Sequence, residues 1–347
     1  MDGLFFDVLL FLFGLGLLVK GADILVDRAS KIAKRFGVSE FMIGLTIVAL
    51  GTTVPELGAS TISSLMGNAG IAIGNILGSV IFNLAFILAL TAIFIPVKVS
   101  RQVYFDSIVL LSAAILFCFL CLNGVLSRIE GVFLILLFAA RLAYFAAAKK
   151  LHGWEGHLLE FLEKFFIRSR GHSSEAKNKP REKEAMHSAA AGQPLPAAFL
   201  LKSAVFLAVS VAFVFFGTRF MVESASRFPI NPLFTGLILV SVGTSLPELA
   251  VAITCIRKKL PAITIGDIIG ANISDLLWVG GAAAIAKPMI VPVGTVLADF
   301  AFMVFLLALF LLFIARDKSL GRKRAALLLL LYFAYFAATA MTKLGAG

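Results

Sequence analysis

The chain has 347 residues, of which 60% are hydrophobic and only 15% are charged, and its formal net charge is +11. A soluble domain averages about 45–50% apolar and about 25% charged residues, so this composition excludes a water-soluble fold and indicates a polytopic membrane protein. The positive charge is explained by basic residues in alternate loops, described below, and requires no nucleic-acid partner. Three cysteines, all in or beside apolar segments, predict no disulfide framework.

Ten apolar segments follow one another along the chain, five before and five after a central polar loop. The first lacks the basic n-region and A-x-A cleavage site of a removed signal peptide, so we interpret it as a membrane helix. An odd number of helices per half makes the two halves enter the membrane in opposite directions. The sequence therefore predicts an all-α polytopic membrane protein of ten transmembrane helices, built as two inverted-topology repeats of five. The approximate spans are Leu4–Ser30, Phe41–Ser64, Ile71–Pro96, Ser107–Leu122, Gly131–Ala148, Phe199–Met221, Leu233–Ile256, Ile263–Ala286, Val293–Ile314 and Ala325–Met341.

The distribution of Lys and Arg between the loops gives the orientation of the chain. With the N-terminus outside, the inner loops contain the basic clusters Arg28–Arg35, Arg257–Lys259 and Arg316–Arg324, together with the central loop. The outer loops contain few basic residues, such as Arg128 and Lys287. This bias alternates through all the segments. It predicts a multi-pass protein of the plasma (inner) membrane, with both termini outside and the central loop cytoplasmic.

The central loop, residues 149–197, separates a first five-helix repeat at 1–148 from a second at 198–347. Its first part, Leu151–Arg168, has apolar residues near helical spacing, which fits either an interfacial amphipathic helix or a cytosolic extension of the fifth helix. Its second part, Gly171–Pro196, has the composition of a flexible linker. All four histidines lie in this loop without metal-ligand spacing, so we predict that they are solvated.

Two stretches of the sequence are copies of each other. Residues 44–83 contain GLTIVALGTTVPELGAS and GNILGSVIFN, and residues 236–275 contain GLILVSVGTSLPELAVA and GDIIGANISD. Equivalent residues are 192 positions apart in both motifs, as for Glu56 and Glu248, which marks an internal duplication. Each copy places a carboxylate inside a long apolar segment, and a carboxylate in such a position indicates a functional site.

A proline stands directly before the glutamate of each copy. Pro55 and Pro247 each remove one backbone hydrogen bond and clash with the carbonyl four residues earlier, so each helix is expected to kink or unwind. Carbonyls released at membrane depth must be buried in protein or line a wet cavity. Carbonyl, hydroxyl and carboxylate oxygens are the ligands of hard cations such as Ca²⁺ and Na⁺. The candidate ligands at the two breaks are Thr52, Thr53, Glu56, Thr244, Ser245 and Glu248.

The second motif of each repeat supplies the opposite wall of this site. Ser79 and Asn83 are four residues apart and share one helical face, and Ala271 and Asp275 occupy the equivalent positions in the other copy. No basic residue lies within either motif to neutralise the glutamates. A bound cation is the simplest partner for them.

The motifs GTTVPE, GTSLPE, GSVIFN and GANISD closely resemble the two α-repeats of the sodium/calcium exchanger family, in the cation/calcium exchanger superfamily. The resemblance covers essentially the whole chain. It implies that Ca²⁺ is exchanged for Na⁺ by alternating access, with both ions as transported substrates and without a cofactor. It also implies that the first and sixth helices slide against the other eight.

The same resemblance implies which residues hold the ions. The Ca²⁺ site is implied at Glu56 and Glu248, completed by Asn83 and Asp275. The further oxygen ligands implied for Na⁺ or Ca²⁺ are Thr52, Thr53, Ser79, Thr244 and Ser245. One position departs from the pattern: the family usually has Ser where this chain has Ala271, and that serine helps to ligate a Na⁺ site near the outer side. The resemblance therefore does not fix the number or affinity of the Na⁺ sites.

Other functions compete with this interpretation. The nearest is a H⁺/Ca²⁺ antiporter of the same superfamily, whose repeats typically carry a glutamate followed by histidine, whereas Leu57 and Leu249 follow the glutamates here. A non-exchanging cation channel or sensor is a third alternative, although a channel needs a continuous pore and usually a symmetric oligomer. The membrane segments carry no nucleophile–base pair and no His/Cys metal cluster, so no enzyme activity is predicted. The sequence sets no oligomeric state.

The predicted orientation can be tested at two positions. In a variant without native cysteines, Ala346→Cys is expected to react with an impermeant thiol reagent on intact cells, and Ser174→Cys only after permeabilisation, because the basic loops stay inside. The measurement is the extent of labelling before and after permeabilisation. Labelling in the opposite sense at both positions would refute the orientation.

Overall fold

The computed structural model of the chain describes residues 5–17, 20–21, 24, 45, 48–148, 197–225, 227–228 and 231–343. The predicted amphipathic segment Leu151–Arg168, the linker Gly171–Pro196 and the four histidines lie outside these residues. So do Gly44, at the start of the first repeat motif, and the two positions of the labelling test.

The described part of the first half is helical and carries two short strands. A π-helical turn at Asn83–Leu88 interrupts its longest helix. Its elements are α1 (Phe5–Leu17), α2 (Ala49–Thr52), α3 (Val54–Leu65), α4 (Ala69–Phe94), β1 (Val97–Lys98), α5 (Arg101–Cys121), β2 (Val125–Leu126) and α6 (Arg128–Ala148).

The second half repeats this order of elements. Its elements are α7 (Ala197–Ala225), α8 (Pro232–Thr244), α9 (Leu246–Lys258), α10 (Pro261–Ala286), β3 (Met289–Ile290), α11 (Val293–Asp317), β4 (Ser319–Leu320) and α12 (Arg322–Lys343). The π-helical turns Thr235–Val240 and Asp275–Val279 lie inside α8 and α10. Helices α4 and α10 are both 26 residues long, and each boundary of one lies 192 positions from that of the other. The sequence duplication is therefore a duplication of structure.

Two small antiparallel ribbons show that the halves are inverted. Strand β1 pairs with β4, and β2 pairs with β3. Helix α5 runs from the β1–β4 ribbon to the β2–β3 ribbon, whereas its counterpart α11 runs from the β2–β3 ribbon back to the β1–β4 ribbon. Equivalent helices thus cross the molecule in opposite directions, as predicted. These two-residue strands, which the sequence analysis did not foresee, are the one departure from an all-helical fold within the described residues.

Several helices have the dimensions of membrane spans. Among the described residues, α4, α5, α10, α11 and α12 are each long and apolar enough to cross a bilayer, and α8 with α9 makes a sixth span bent by 43°. The helical inverted-repeat membrane fold is confirmed, while the total of ten transmembrane helices remains a prediction.

Some helices begin earlier than the apolar pattern indicated, and α6 shows why. It starts at Arg128 rather than at the predicted Gly131. The carboxylate of Glu130 accepts hydrogen bonds from the backbone N–H and the hydroxyl of Ser127, both at 2.7 Å. This arrangement caps a polar first turn, which a search for apolar segments leaves out.

Polar side chains are buried in the interior beside an apolar core, and many large apolar side chains are exposed on the surface. Ile129, Phe119 and Leu330 are 83%, 68% and 65% exposed, whereas Asn75 and Ser79 are fully buried. Exposed apolar side chains suit a lipid surface. Many of the buried polar side chains, Asn75 and Ser79 among them, lie where the two halves meet and define the site described below.

Glycines allow helices of the two halves to cross with their backbones in direct contact. A Cβ atom added to Gly74 of α4 would lie 2.6 Å from the carbonyl oxygen of Leu233 and 2.9 Å from the Cα atom of Gly236, both in α8. A Cβ atom on Gly14 of α1 would lie 2.6 Å from the carbonyl oxygen of Gly217 in α7. Both crossings depend on residues without side chains.

Substitution of Gly74 by Ala tests the first crossing. Alanine normally favours a helix over glycine, but here its methyl group meets backbone atoms that cannot rotate away, so we expect a loss of about 1–3 kcal/mol of stability. The measurement is thermal unfolding of the detergent-solubilised protein. Gly294→Ala is the matched control, because a Cβ atom there meets nothing within 4 Å. Equal unfolding temperatures for both variants would contradict the proposed packing.

Candidate cation-binding site

Both proline-containing helices break where the sequence predicted. Helix α2 ends at Thr52 and α3 begins at Val54, so Thr53 lies at the first break. Helix α8 ends at Thr244 and α9 begins at Leu246, which places Ser245 at the second. Each proline occupies the first turn of the helix that follows, where its missing N–H costs no hydrogen bond. The hydroxyl-bearing residues therefore stand in the interruptions.

Backbone carbonyl oxygens one turn before the breaks accept hydrogen bonds from hydroxyl groups at the breaks. The carbonyl oxygen of Ala49 accepts from the Thr53 hydroxyl at 2.7 Å and from the Thr52 hydroxyl at 3.3 Å. The carbonyl oxygen of Ser241 accepts from the Thr244 hydroxyl at 3.2 Å. The same local arrangement is thus present in both repeats.

Hydrogen bonds join each broken helix to the opposite half. The Ser245 hydroxyl donates to Glu56 Oε1 at 3.1 Å. The Thr244 hydroxyl donates to Asn75 Oδ1 at 3.1 Å, and the Thr52 hydroxyl donates to Asp267 Oδ1 at 3.3 Å. The candidate ligands of the two repeats consequently belong to one site.

Carboxylates concentrate in this site without positive partners. Glu248 is an electrostatic neighbour of Glu56, Asp267 and Asp275, and all four are at most 1% exposed. Glu56 Oε2, Asp267 Oδ2 and both oxygens of Glu248 and Asp275 have no hydrogen-bond partner in the described structure. Each ionised carboxylate without compensation costs several kcal/mol in such surroundings.

The basic side chains within the described ranges make their ion pairs elsewhere. Arg141 Nη2 lies 3.5 Å from Asp106 Oδ1, and Arg227 Nη1 lies 2.9 Å from Asp7 Oδ1. Arg324 pairs with Asp317 at the end of α11. The site carboxylates are therefore left to another kind of positive partner, and a cation substrate meets that requirement.

Helices α4 and α10 form the opposite wall. Ser79 is fully buried and its hydroxyl has no partner. Asn83 donates from Nδ2 to Asn272 Oδ1 at 3.0 Å and keeps its own Oδ1 unpartnered. Ala271 and Asp275, the counterparts of Ser79 and Asn83, are also buried. The structure therefore places each predicted site residue in the buried region where the halves meet.

The sequence analysis missed two residues of this region. Asn75 and Asp267 are counterparts, 192 positions apart, and each accepts a hydrogen bond from a threonine of the opposite half. A signal was present, because Asp267 is a second carboxylate within an apolar membrane segment. It lies outside both the proline motif and the segment Ala271–Asp275, which supplied the predicted wall residues.

The donor set favours hard cations over a tightly chelated transition metal. The described residues contain no cluster of three His, Cys, Asp or Glu side chains with metal-ligand spacing. The site instead mixes hydroxyl, amide, backbone carbonyl and carboxylate oxygens. Such oxygens suit Na⁺ and Ca²⁺, and ligands from two broken helices and two walls can separate to release the ion.

Inverted helical repeats around an oxygen-lined site at two broken membrane helices define a secondary cation transporter. The profile of the family described as "Sodium/calcium exchanger protein" matches residues 6–147 and 202–341. The chain therefore belongs to the sodium/calcium exchanger family. It is a membrane cation exchanger of the antiporter type and not an enzyme.

Individual relatives agree with this assignment. The chain is 34% identical to "Sodium/calcium exchanger MaX1" of Methanosarcina acetivorans over 344 residues, which cover 95% of this chain and 97% of the relative. It is 34% identical to "Inner membrane protein YrbG" of Escherichia coli over 284 residues, 80% of this chain and 79% of the relative. A solved structure of the sodium-calcium exchanger NCX_Mj, soaked with Na⁺ and Sr²⁺, is similar with a TM-score of 0.64 and 28% identity, covering 96% of this chain and 99% of that one.

Proposed function

We propose that this protein exchanges Ca²⁺ for Na⁺ across the membrane by alternating access. The single observation that carries the proposal is the buried carboxylate pair Glu56 and Glu248, which has no basic partner among the described residues. Ca²⁺ binds between these two side chains, with Asn83 and Asp275 completing the site. The oxygens of Thr52, Thr53, Ser79, Thr244 and Ser245 serve Na⁺ or Ca²⁺.

The names of the relatives support Na⁺ as the coupled ion. MaX1 is named a sodium/calcium exchanger, and the NCX_Mj crystals were soaked with Na⁺, Ca²⁺ or Sr²⁺. The residues that follow the glutamates, Leu57 and Leu249, carry no titratable group that would favour H⁺ instead. Because Na⁺ and Ca²⁺ compete for the same carboxylates, one ion binds only when the other has left, and exchange results when the protein reorients only with an ion bound.

The inverted repeats support alternating access. Two equivalent broken helices approach one site from opposite directions, so exchanging the conformations of the two repeats moves the opening from one side to the other. Helices α1 and α7 pack closely against each other at Gly14 and Gly217, which supports their sliding as one unit against the rest. The distribution of basic residues supports an orientation in the inner membrane with both termini outside and the central loop in the cytoplasm. The functional divisions are 1–148, the loop 149–197 and 198–347.

Flux into proteoliposomes tests the proposal directly. An outward Na⁺ gradient is expected to drive radiolabelled Ca²⁺ uptake, and a H⁺ gradient of equal size without Na⁺ is expected to drive none. Uptake driven only by H⁺ would establish the H⁺/Ca²⁺ antiporter. Gradient-independent Ca²⁺ passage at channel rates, or no passage at all, would indicate a channel or a sensor.

Replacement of either glutamate by Gln should abolish exchange while the protein still folds. The loss of one buried charge from an ion site costs about 3–5 kcal/mol, equivalent to at least about 100-fold in binding. The measurement is Na⁺-dependent Ca²⁺ uptake by Glu56→Gln and Glu248→Gln. Glu223→Gln is the control, because this glutamate lies on α7 in a partly exposed pair with Arg219 at 3.2 Å. Uptake at the wild-type rate in either site variant would sink the assignment.

Ala271→Ser addresses the departure from the family pattern. One helical turn before Asp275, a serine hydroxyl would face the same site and add one neutral ligand for Na⁺ without changing the charge that captures Ca²⁺. We therefore expect a lower Na⁺ concentration for half-maximal exchange and little change in the half-saturating Ca²⁺ concentration. If Ala271 only fills space, both parameters move together or neither moves. An unchanged Na⁺ curve would mean that this position has no bearing on Na⁺ binding.

A further inference from the structure

The duplication contains an asymmetry in charge at the two residues that the sequence analysis missed. Asn75 on α4 and Asp267 on α10 are equivalent positions, and each accepts a hydrogen bond from the threonine of the opposite broken helix. Thr244 donates to the Asn75 amide oxygen at 3.1 Å, and Thr52 donates to the Asp267 carboxylate at 3.3 Å. The geometry is repeated, but one side has a neutral amide and the other has a carboxylate.

The second polar atom of each side chain differs more sharply. Asn75 Nδ2 donates to the hydroxyl of Ser60 at 2.9 Å and to the carbonyl oxygen of Glu56 at 3.4 Å. The residues equivalent to Ser60 and Glu56 in the other half are Ala252 and Glu248. Asp267 therefore has the acceptor Oδ2 where Asn75 has the donor Nδ2, and Ala252 has no hydroxyl where Ser60 has one. No hydrogen-bond donor reaches Oδ2 of Asp267 in the described structure.

The surroundings of Asp267 need positive charge. Asp267 is fully buried, and its Oδ2 has no hydrogen-bond partner in the described structure. Its neighbour Glu248 is 1% exposed, and both of its carboxylate oxygens are also unpartnered. Thr52 is a polar neighbour of both carboxylates. Two adjacent buried carboxylates that are both ionised are strongly destabilising unless a cation lies beside them.

We propose that Asp267, Glu248 and Thr52 form a subsite for a monovalent cation, with Asp267 as a direct ligand. The inference rests on the proposed function, which makes Na⁺ the available monovalent ion. Ca²⁺ takes about six to eight oxygens, more than these three side chains offer, so it needs the wider site between the glutamates. The opposite half has Asn75 in the equivalent position and therefore lacks the charge. Na⁺ binding is consequently unequal on the two sides of the pseudo-symmetric site.

Asp267→Asn isolates the charge of this residue. The amide keeps an acceptor for Thr52, and the same residue already occupies the equivalent position at Asn75, so the fold accommodates it. Equilibrium binding of radiolabelled Na⁺ and Ca²⁺ to the purified full chain is the measurement. The Na⁺ concentration for half-saturation is expected to rise about tenfold, which corresponds to about 1.4 kcal/mol, and that for Ca²⁺ by less than about threefold.

Asp299→Asn is the matched control. Asp299 is a buried carboxylate on α11 that accepts a hydroxyl hydrogen bond from Tyr335 at 2.8 Å, outside the site. Its variant also loses one buried charge and keeps the acceptor, so its Na⁺ binding should match the wild type. An unchanged Na⁺ curve in Asp267→Asn, equal shifts for Na⁺ and Ca²⁺, or the same shift in the control would each overturn the inference.

A reciprocal variant keeps the proposal testable if Asp267→Asn does not fold. Asn75→Asp places a carboxylate beside Thr244 and Glu56 and is expected to increase the number of bound Na⁺ ions by one. An unchanged number would overturn the inference. Because these are binding measurements, they remain readable if a Na⁺ gradient fails to drive Ca²⁺ uptake, and that failure would count against the proposed exchange alone.

Discussion

The structure is organised around two buried carboxylates that no basic residue in the described part of the chain neutralises. Glu56 and Glu248 are buried next to each other, and within the described ranges the arginines form their ion pairs with other carboxylates. In a low-dielectric interior this arrangement favours whatever cation can enter. The broken helices, the hydroxyls at the breaks and the close glycine crossings all serve to hold these two carboxylates together while leaving their outer oxygens unpaired.

Inversion of the repeats joins the two halves around this site. The ribbons β1–β4 and β2–β3 tie the first half to the second at the two ends of α5 and α11, and those helices run in opposite directions. Hydroxyl groups at each break donate hydrogen bonds to the other half, as the Ser245 hydroxyl does to Glu56 Oε1. Under the proposed alternating access, a movement of one half against the other would change the coordination of the ion, because these hydrogen bonds join the two halves.

Much of the fold was readable from the sequence because its signals were strong and local. The constant spacing between Glu56 and Glu248 revealed the duplication, and Pro55 and Pro247 located the breaks. The π-helical turn that begins at Asn83 and the capped first turn at Arg128 were not foreseen, because neither alters the apolar pattern. Boundaries set by capping need the geometry of specific hydrogen bonds.

The site was predicted in its chemistry but not in its connections. The repeat motifs named both Thr52 and Glu56 as candidate ligands, yet they could not show that Thr52 donates to Asp267 on a helix of the other half. Pairing across the halves depends on how the repeats pack, and sequence spacing within one repeat carries no information on that. Comparing the repeats residue by residue would have drawn attention to the pair Asn75 and Asp267, since one is neutral and the other ionisable.

The most direct test of the central claim is anomalous diffraction from crystals of this protein soaked with Sr²⁺ in the absence of Na⁺. The account predicts one strong peak between the carboxylates of Glu56 and Glu248, with oxygens of both within about 3 Å of the ion. A peak elsewhere, with the two glutamates bound to each other or to protein donors only, would contradict it.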